Sequence, residues 1–102
     1  MTAHDASAKP DGAPAEAAFV YVLGCLTAQG YRTYVGWTID LEQRVARHNA
    51  GTGAKTTRGR TWCLLYAERW SSRRCAMSRE WYLKRDRPMR RGLARTAQGL
   101  TP

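Results

Sequence analysis

The chain of 102 residues carries 17 Lys and Arg against 8 Asp and Glu, a net charge of +9. Its length predicts one domain with one modest hydrophobic core. A hydrophobic content of 43%, with four Trp and five Tyr, excludes an intrinsically disordered chain, and no apolar stretch is long enough to span a membrane. A compact basic domain attracts polyanions, most commonly nucleic acid, although a generic solvated basic surface has the same charge.

The charge is uneven along the chain. Residues 1–17 hold one Lys and three acids, so the remainder carries a net charge of +11. Pro and Gly interrupt any regular pattern in this first stretch, which predicts a disordered leader. We therefore expect a folded domain over residues 18–95 and a frayed tail over residues 96–102.

The cysteines and the N-terminal sequence indicate the compartment. Three cysteines lie far apart without a C-x-x-C pair, which disfavours both a zinc site and a disulfide framework and favours small buried side chains in a reducing environment. No basic start is followed by an apolar run, so we find no secretory signal. These features predict a cytoplasmic protein.

The first regular elements form a hairpin. Residues 19–26 are apolar, β-branched and aromatic, which predicts a buried strand. Residues 27–30 have turn chemistry, and residues 31–35 read as the returning strand. Because side chains alternate along a strand, we expect Tyr21 on one face of the first strand, and Tyr34 to share a face with Arg32 on the second.

A helix follows the hairpin. Gly36 is predicted to end the second strand, and Asp40 to cap the helix, with Gln43 three residues later completing a capping-box pattern. Arg44 and His48 then border the apolar stripe of the helix instead of lying opposite it. An Asn-Ala-Gly sequence ends the helix in the usual way.

The loop over residues 51–60 is rich in glycine, hydroxyl groups and positive charge. Hydroxyls and cations are the usual contacts to phosphate, and glycine lets backbone approach another molecule. The candidate nucleic-acid contacts here are Lys55, Thr57, Arg58 and Arg60. The alternative is a flexible loop whose basic composition has no such role.

The rest of the chain predicts one more strand and a long helix. Residues 61–67 read as the third strand, and one of the two serines after it caps a helix over residues 73–87. Pro88 is expected to stop or kink this helix, with a short further turn at residues 90–93.

Glu80 occupies an unusual place on that helix. It projects into the same arc as Ala76, Met77 and Leu83, and it is the only acid of the ordered region that we place on an apolar face. A carboxylate there is costly to bury unless it is paired or binds a metal. The alternative is that Glu80 simply pairs with one of the many arginines.

These residues suit phosphodiester hydrolysis, which needs a cation on the phosphate, a group that aligns or deprotonates water, and a divalent metal. Mg²⁺ accepts a single carboxylate together with waters and substrate phosphate, so Glu80 alone can suffice. Arg44 is a permanently charged fork suited to phosphate. Tyr21, Tyr34 and His48 are the groups available to order or deprotonate the water.

Five pieces of the chain follow one another in a recognisable order: Val20-Tyr21-Val22, Tyr34-Val35-Gly36, Arg44, His48 and Glu80. In this order they resemble the GIY-YIG nuclease family, and most closely its small stand-alone bacterial members. The loop over residues 51–59 is similar to the Gly-(Lys/Thr)-Gly-Ala-Lys-x-Thr-Arg-Gly segment of those members. The resemblance covers about residues 18–93.

The resemblance implies an α+β fold, in which a three-stranded antiparallel sheet is flanked by helices. It implies that Tyr21, with help from His48, acts as general base or positions the water, and that Tyr34 is the tyrosine of the second motif. Arg44 would contact the scissile phosphate. Glu80 would be the single ligand of Mg²⁺ (or Mn²⁺), and Gly36 would let the backbone turn near the substrate.

The leading hypothesis is thus a metal-dependent endonuclease acting on DNA in preference to RNA, with branched, damaged or single-stranded DNA as candidate substrates and DNA repair as a candidate role. The alternative is a non-catalytic nucleic-acid-binding module on the same fold. A third hypothesis is a structural or protein-interaction role with incidental charge. No membrane partner is expected, and the sequence leaves the oligomeric state open.

Overall fold

The computed structural model describes residues 17–100, so nearly all of the predicted leader lies outside the described residues. The elements in chain order are β1 (Ala18–Thr27), β2 (Gly30–Thr38), α1 (Leu41–Asn49), a 3₁₀ turn (Lys55–Thr57), β3 (Cys63–Trp70), α2 (Arg73–Arg85) and α3 (Arg87–Ala97). The predicted α+β architecture is confirmed. Within residues 17–100, no helix combines the length and the apolar character that a membrane span requires.

The sheet is antiparallel with the order β2-β1-β3, so β1 is its central strand. Alternate side chains of β1 fill two cores. Ala18, Val20 and Val22 pack with α2 and α3 on one face. Tyr21 and Leu23 face the other way, where they pack with α1 and the segment before β3. The hydrophobic alternation of β1 therefore separates a structural face from the face that carries the candidate site.

The strand β2 extends past Gly36 to Thr38, so the prediction that Gly36 ends the strand is wrong. Gly36 pairs with Tyr21 in the register between β1 and β2. A glycine inside a strand marks a close approach of another group, and here that group is the phenol of Tyr21.

The predicted start and end of α1 are confirmed. Asp40 accepts a hydrogen bond from the backbone N–H of Gln43 at 3.0 Å. The helix ends at Asn49, and Gly51 follows in the left-handed conformation with φ of +79°. Local capping chemistry thus fixes where the helix carrying Arg44 and His48 begins and ends.

The predicted bounds of the later elements need correction. The third strand is displaced to residues 63–70, because Trp62 leaves the sheet and donates its indole N–H to the carbonyl oxygen of Thr57. Cys63, expected to be buried, is exposed. The strand therefore begins only after the loop has been anchored by the Trp62 side chain.

The chain after α2 is also more regular than predicted. Asp86 ends α2 and caps a new helix by accepting the backbone N–H of Met89 at 3.1 Å. Pro88 lies in the first turn of α3, where a missing N–H costs no helical hydrogen bond. α3 then continues to Ala97, so the single short turn predicted at residues 90–93 is wrong, and residues 96 and 97 of the predicted frayed tail are helical.

Candidate active site

The candidate site is built around a buried contact between a strand and a helix. Tyr21 on β1 and His48 on α1 are both buried, and the phenol oxygen lies 2.8 Å from His48 Nε2. Tyr34 on β2 stands beside them, with ring centroids 6.4 Å from Tyr21 and 5.0 Å from His48. The sheet and α1 therefore bring together three of the predicted catalytic side chains.

The hydrogen bonds of Thr57 fix the tautomer of His48. The Thr57 hydroxyl donates to the carbonyl oxygen of Ala54 at 2.7 Å, so toward His48 it can only accept. His48 Nδ1 lies 2.7 Å from that hydroxyl and must carry the proton. His48 Nε2 is then unprotonated and accepts the hydroxyl proton of Tyr21. One directed chain of hydrogen bonds runs from Tyr21 through His48 to Thr57 and Ala54.

The loop that carries Thr57 is clamped onto α1 and β3. Asn49 exchanges two hydrogen bonds with the backbone of Trp62, at 3.1 and 2.6 Å, and the Trp62 indole binds the carbonyl oxygen of Thr57 at 2.8 Å. Gly53 passes so close to His48 that a Cβ there would lie 2.6 Å from Nδ1. The glycine in this loop is thus needed for the loop to pack against His48.

Burial dominates the protonation behaviour of the pair. It raises the pKa of Tyr21 far above the usual value of a phenol, and Tyr34 adds to this, whereas the hydrogen-bonded guanidinium of Arg44 opposes it. Burial also lowers the pKa of His48 below 6.5, and the positive charges of Arg44 and Arg47 lower it further. At neutral pH the site therefore holds a neutral phenol and a neutral imidazole that is ready to accept a proton.

Arg44 and Tyr34 lie on the open side of the pair. Arg44 is half-buried and lines a cavity of about 300 Å³ together with Trp37, Thr38 and Arg73. Burial raises the pKa of Tyr34, as does the charge of Glu80, while Arg44 opposes the shift. The Tyr34 hydroxyl has no hydrogen-bond partner among residues 17–100, which leaves it available to a bound ligand.

Glu80 lies on α2, the helix whose buried side packs with Val20 and Val22 on the face of the sheet opposite Tyr21. Its negative charge contributes to the raised pKa of both Tyr21 and Tyr34. Its side chain is 20% exposed, and the nearest cation recorded for it is Lys84 Nζ at 3.7 Å, a loose pair across one turn. The alternative in which Glu80 is neutralised by an arginine is not what the structure shows.

The acid that does pair with an arginine is Glu68 on β3. Arg79 binds it with two nitrogens, Nη2 to Oε2 at 2.8 Å and Nε to Oε1 at 2.9 Å, and Tyr66 and Trp70 also donate to it. Glu68 is buried on the face of α2 and α3. The prediction that Glu80 is the only acid on an apolar face is therefore wrong, because the third strand extends beyond the predicted end at Ala67 and includes Glu68.

The apolar arc predicted for α2 is confirmed at Ala76 and wrong at Met77. Ala76 and Leu83 are fully buried as predicted, but Met77 is 50% exposed. Glu80 lies between these extremes, at the edge of the buried stripe. A position at the edge of the stripe leaves the carboxylate partly exposed to solvent.

The predicted nucleic-acid contacts divide into two groups. Lys55, Arg58 and Arg60 are exposed, so their role stays a prediction; Arg60 lies near Cys25, toward the far end of β1. Thr57 is completely buried against His48, and its prediction as a surface phosphate contact is wrong.

The role predicted for Gly36 near the substrate stays a prediction. This glycine is buried, and the Tyr21 phenol occupies the space in front of it. Sequence reasoning also missed the part that Gly53, Asn49 and Trp62 play in holding Thr57. The one signal that pointed toward them was the density of glycine in the loop.

The donor set suits a hard cation bound mainly by water. Residues 17–100 hold no cluster of three or more His, Cys, Asp and Glu side chains that could enclose a metal. A lone carboxylate offers only oxygen donors, and Mg²⁺ tolerates one protein carboxylate when waters and phosphate complete its shell. The chemistry of Glu80 is compatible with Mg²⁺ or Mn²⁺, and the metal stays a prediction.

The sequence of this chain is similar to one family model and to several known proteins. The family model of the GIY-YIG catalytic domain matches residues 17–91. A UPF0213 protein of Natronomonas pharaonis is 48% identical over 67 residues, which cover 65% of this chain and 75% of the relative. UPF0213 proteins of Clostridium perfringens and Pediococcus acidilactici are each 46% identical, over 66% and 72% of this chain and 70% and 76% of the relatives. No solved structure matches the chain significantly.

Proposed function

The chain belongs to the GIY-YIG catalytic-domain family, and from that premise we propose that it is an endonuclease that hydrolyses phosphodiester bonds in DNA. The observation that carries the proposal is the directed chain from Tyr21 to His48 and Thr57, with the guanidinium of Arg44 at the Tyr21 hydroxyl. A structural role would not require a neutral, unprotonated imidazole nitrogen beneath a phenol. Such a pair is suited to removing a proton from water.

The proton moves in one direction through the site. As the water oxygen attacks phosphorus and the bond to the leaving oxygen breaks, the water gives a proton to the Tyr21 oxygen, and Tyr21 passes its own proton to His48 Nε2. The raised pKa of Tyr21 keeps a free phenolate from forming before attack. The resulting imidazolium keeps its Nδ1–H bond to Thr57.

Arg44 binds the phosphate that is cleaved. Its guanidinium lies at the Tyr21 hydroxyl and in the cavity that also contains Arg73. A fixed cation there neutralises the charge that develops on the non-bridging oxygens. Tyr34, whose hydroxyl has no partner within residues 17–100, donates to the phosphate or to the attacking water.

Glu80 would hold a divalent ion, Mg²⁺ or Mn²⁺. When bound, such an ion supplies positive charge to the phosphate and leaving oxygens. The loose contact between Glu80 and Lys84, at 3.7 Å, leaves the carboxylate available for this role. Glu68 is not a substitute, because Arg79, Tyr66 and Trp70 already satisfy its oxygens on the other face of the sheet.

DNA is the substrate that we propose in preference to RNA, with branched, damaged or single-stranded molecules as candidate forms. Such substrates would give the protein a role in DNA repair in the cytoplasm of its cell. The net charge of +9 supports binding to any polyanion and makes binding depend on salt. Cleavage assays, and not assays of binding to nucleic acid, therefore identify the form of DNA on which the protein acts.

The test is a cleavage panel of linear, nicked, branched and single-stranded DNA with Mg²⁺ or Mn²⁺, and matched RNA. We expect wild type to cut at least one DNA substrate, and Glu80→Gln to abolish cleavage while binding survives. Glu42→Gln is the matched control, because Glu42 is an exposed acid in the first turn of α1. If wild type binds every substrate and cuts none, the protein is a non-catalytic nucleic-acid-binding module.

A further inference from the structure

A second basic cavity lies where α3 packs beside β2. Its volume is about 400 Å³. The residues that line it are Tyr31, Thr33, Arg87, Arg90, Arg91 and Ala94. Thr33 and Tyr34 are neighbours on β2, so their side chains point to opposite faces of the sheet. The cavity, which we call the α3 pocket, is therefore distinct from the candidate active site and separated from it by the edge strand.

The α3 pocket concentrates positive charge without a counter-ion. Its lining contains three arginines and no acid. The nearest acid along the chain, Asp86, uses its side chain to cap α3. Within residues 17–100, no salt bridge is recorded for Arg87, Arg90 or Arg91. The positive end of α3 adds to the potential, because all three arginines lie within its first two turns.

Arg90 is held in place but is not fully satisfied. Its Nη2 donates to the carbonyl oxygen of Lys84 at 2.7 Å, and its Nη1 reaches the hydroxyl of Thr33 at 3.4 Å. Its Nε is buried and has no acceptor among the described residues. A buried donor without an acceptor is unfavourable. An anionic oxygen is the partner that the pocket lacks.

Two elements connect the pocket with residues of the candidate active site. On β2, Thr33 of the pocket is next to Tyr34 of the candidate active site. On α2 the step is one helical turn, about 6 Å along the axis, from Glu80 to Lys84, whose carbonyl oxygen holds Arg90. Phosphates of one strand advance about 3.4 Å per nucleotide, so a strand bound at Glu80 reaches the pocket within a few nucleotides.

We propose that the α3 pocket is a second phosphate-binding site, which holds the backbone of the nucleic acid a few nucleotides from the phosphate that is cleaved. The position relative to a cleaved phosphate rests on the proposed function, whereas binding of a backbone phosphate does not. Arg87 and Arg91 are exposed and supply charge, and the fixed guanidinium of Arg90 supplies direction. The pocket positions substrate and takes no part in proton transfer.

The first test measures affinity in EDTA, where no cleavage occurs. Binding of a fluorescein-labelled 20-nucleotide DNA is followed by anisotropy at several salt concentrations, for wild type and for Arg87→Gln/Arg91→Gln. Loss of the contact is expected to weaken binding about tenfold at low salt and to reduce the slope of log K against log salt by about 0.7 to 0.9. Arg74→Gln/Arg85→Gln, which changes two exposed arginines of α2 outside the pocket, is the control for an equal loss of charge.

The second test locates the phosphate directly. In uniformly ¹⁵N-labelled wild type, the Arg90 Nε–H resonance is expected to shift on titration with the oligonucleotide, and less at the same concentration of inorganic phosphate. Equal shifts with both ligands would make this a site for free phosphate and overturn the backbone assignment. An unmoved Arg90 resonance, or equal effects of Arg74→Gln/Arg85→Gln and Arg87→Gln/Arg91→Gln, would overturn the pocket altogether.

The two proposals fail separately. If the protein cuts no substrate but Arg90 still shifts with the oligonucleotide, the pocket stands and the nuclease assignment falls. If Glu80-dependent cleavage is found while the arginine variants bind as wild type does, the nuclease assignment stands and the pocket falls. Where both hold, Arg87→Gln/Arg91→Gln is expected to raise KM about tenfold with kcat unchanged.

Discussion

The phenol oxygen of Tyr21 lies 2.5 Å from the position that a Cβ atom on residue Gly36 would occupy, and its ring carbon Cζ lies 2.7 Å from it. Tyr21 is fully buried and is tied to His48, so the ring cannot turn aside without breaking that hydrogen bond. Gly36 is therefore required for space, not for a special backbone angle. The central strand and its neighbour fit together at the point where the proposed chemistry begins.

This contact predicts that Gly36→Ala damages both the fold and the site. Overpacking of a core costs about 1–3 kcal/mol, and the displaced phenol loses its geometry with His48. Urea denaturation measures the first effect, and single-turnover cleavage of DNA by the folded protein measures the second. Cleavage is expected to fall about 100-fold, the lower end of what an oriented general base contributes.

Gly92→Ala is the control for this substitution. Gly92 lies in α3, and an added Cβ would meet nothing within 4 Å. Alanine there is expected to stabilise the helix by about 0.5–1 kcal/mol, without effect on cleavage. Full activity in Gly36→Ala would mean that the Tyr21–His48 contact is dispensable.

Thr57 is predicted to be a positioning residue that acts through His48. Thr57→Val keeps the size of the side chain but removes the oxygen that accepts the Nδ1–H of His48. The imidazole can then adopt the other tautomer, and cleavage is expected to fall about 100-fold. ¹⁵N NMR of the imidazole should show a mixture of tautomers in Thr57→Val and one tautomer in wild type.

Two neighbouring variants serve as references for Thr57. Thr57→Ser retains the hydroxyl and is expected to restore most of the activity. Thr56→Val changes an exposed threonine and is expected to have no effect. If the tautomer is unchanged in Thr57→Val while activity falls, Thr57 acts by some other route.

The sequence predicted those features that depend on short-range chemistry. Asp40 caps α1 and a left-handed Gly51 follows it, because each needs only its immediate neighbours. The alternation of β1 placed Tyr21, and the resemblance to the GIY-YIG family assigned the order of the site residues. Contacts between side chains of separate elements could not be predicted from the sequence. Nothing local distinguishes Thr56, which faces solvent, from Thr57, which faces His48.

Glu68 and Pro88 illustrate the same limit. The partner of Glu68 is Arg79, eleven residues away on another element, and only the packing of α2 on the sheet brings them together. Pro88 was read as a helix breaker, but the cap supplied by Asp86 turns it into a first-turn proline. In both cases the deciding partner was visible in the sequence, and its position in space was not.

The pH dependence of cleavage should follow His48. Its pKa lies below the ordinary 6.5 because of burial first, and then of Arg44 and Arg47. Protonated His48 cannot accept from Tyr21, so activity is present above the lowered pKa and is lost as the pH falls through it. We expect the acid limb of kcat/KM below pH 6.5, matched by an NMR titration of the His48 imidazole in metal-free protein.

Removing a nearby charge tests the cause of that shift. Arg47→Gln removes one of the groups that lower the pKa of His48, so the acid limb should move up toward 6.5. His4→Gln, which removes the only other histidine, should leave it in place. An acid limb above pH 6.5 in wild type would contradict a neutral, buried imidazole.

Glu68 on β3 and Glu80 on α2 are predicted to separate stability from activity. Glu68→Gln removes the charge that Arg79 binds with two nitrogens, and is expected to cost about 2–3 kcal/mol in urea denaturation. Burial alone would raise the pKa of Glu68, but hydrogen bonds from Arg79, Tyr66 and Trp70 lower it below 4.5. Its contribution to stability is therefore present above pH 4.5 and is lost as the pH falls through the lowered pKa, an acid dependence that Glu68→Gln should diminish.

Glu80→Gln breaks only a loose pair with Lys84 and should change stability by about 0.5 kcal/mol or less while cleavage disappears. A large loss of stability in Glu80→Gln would show that Glu80 supports the fold and not the reaction.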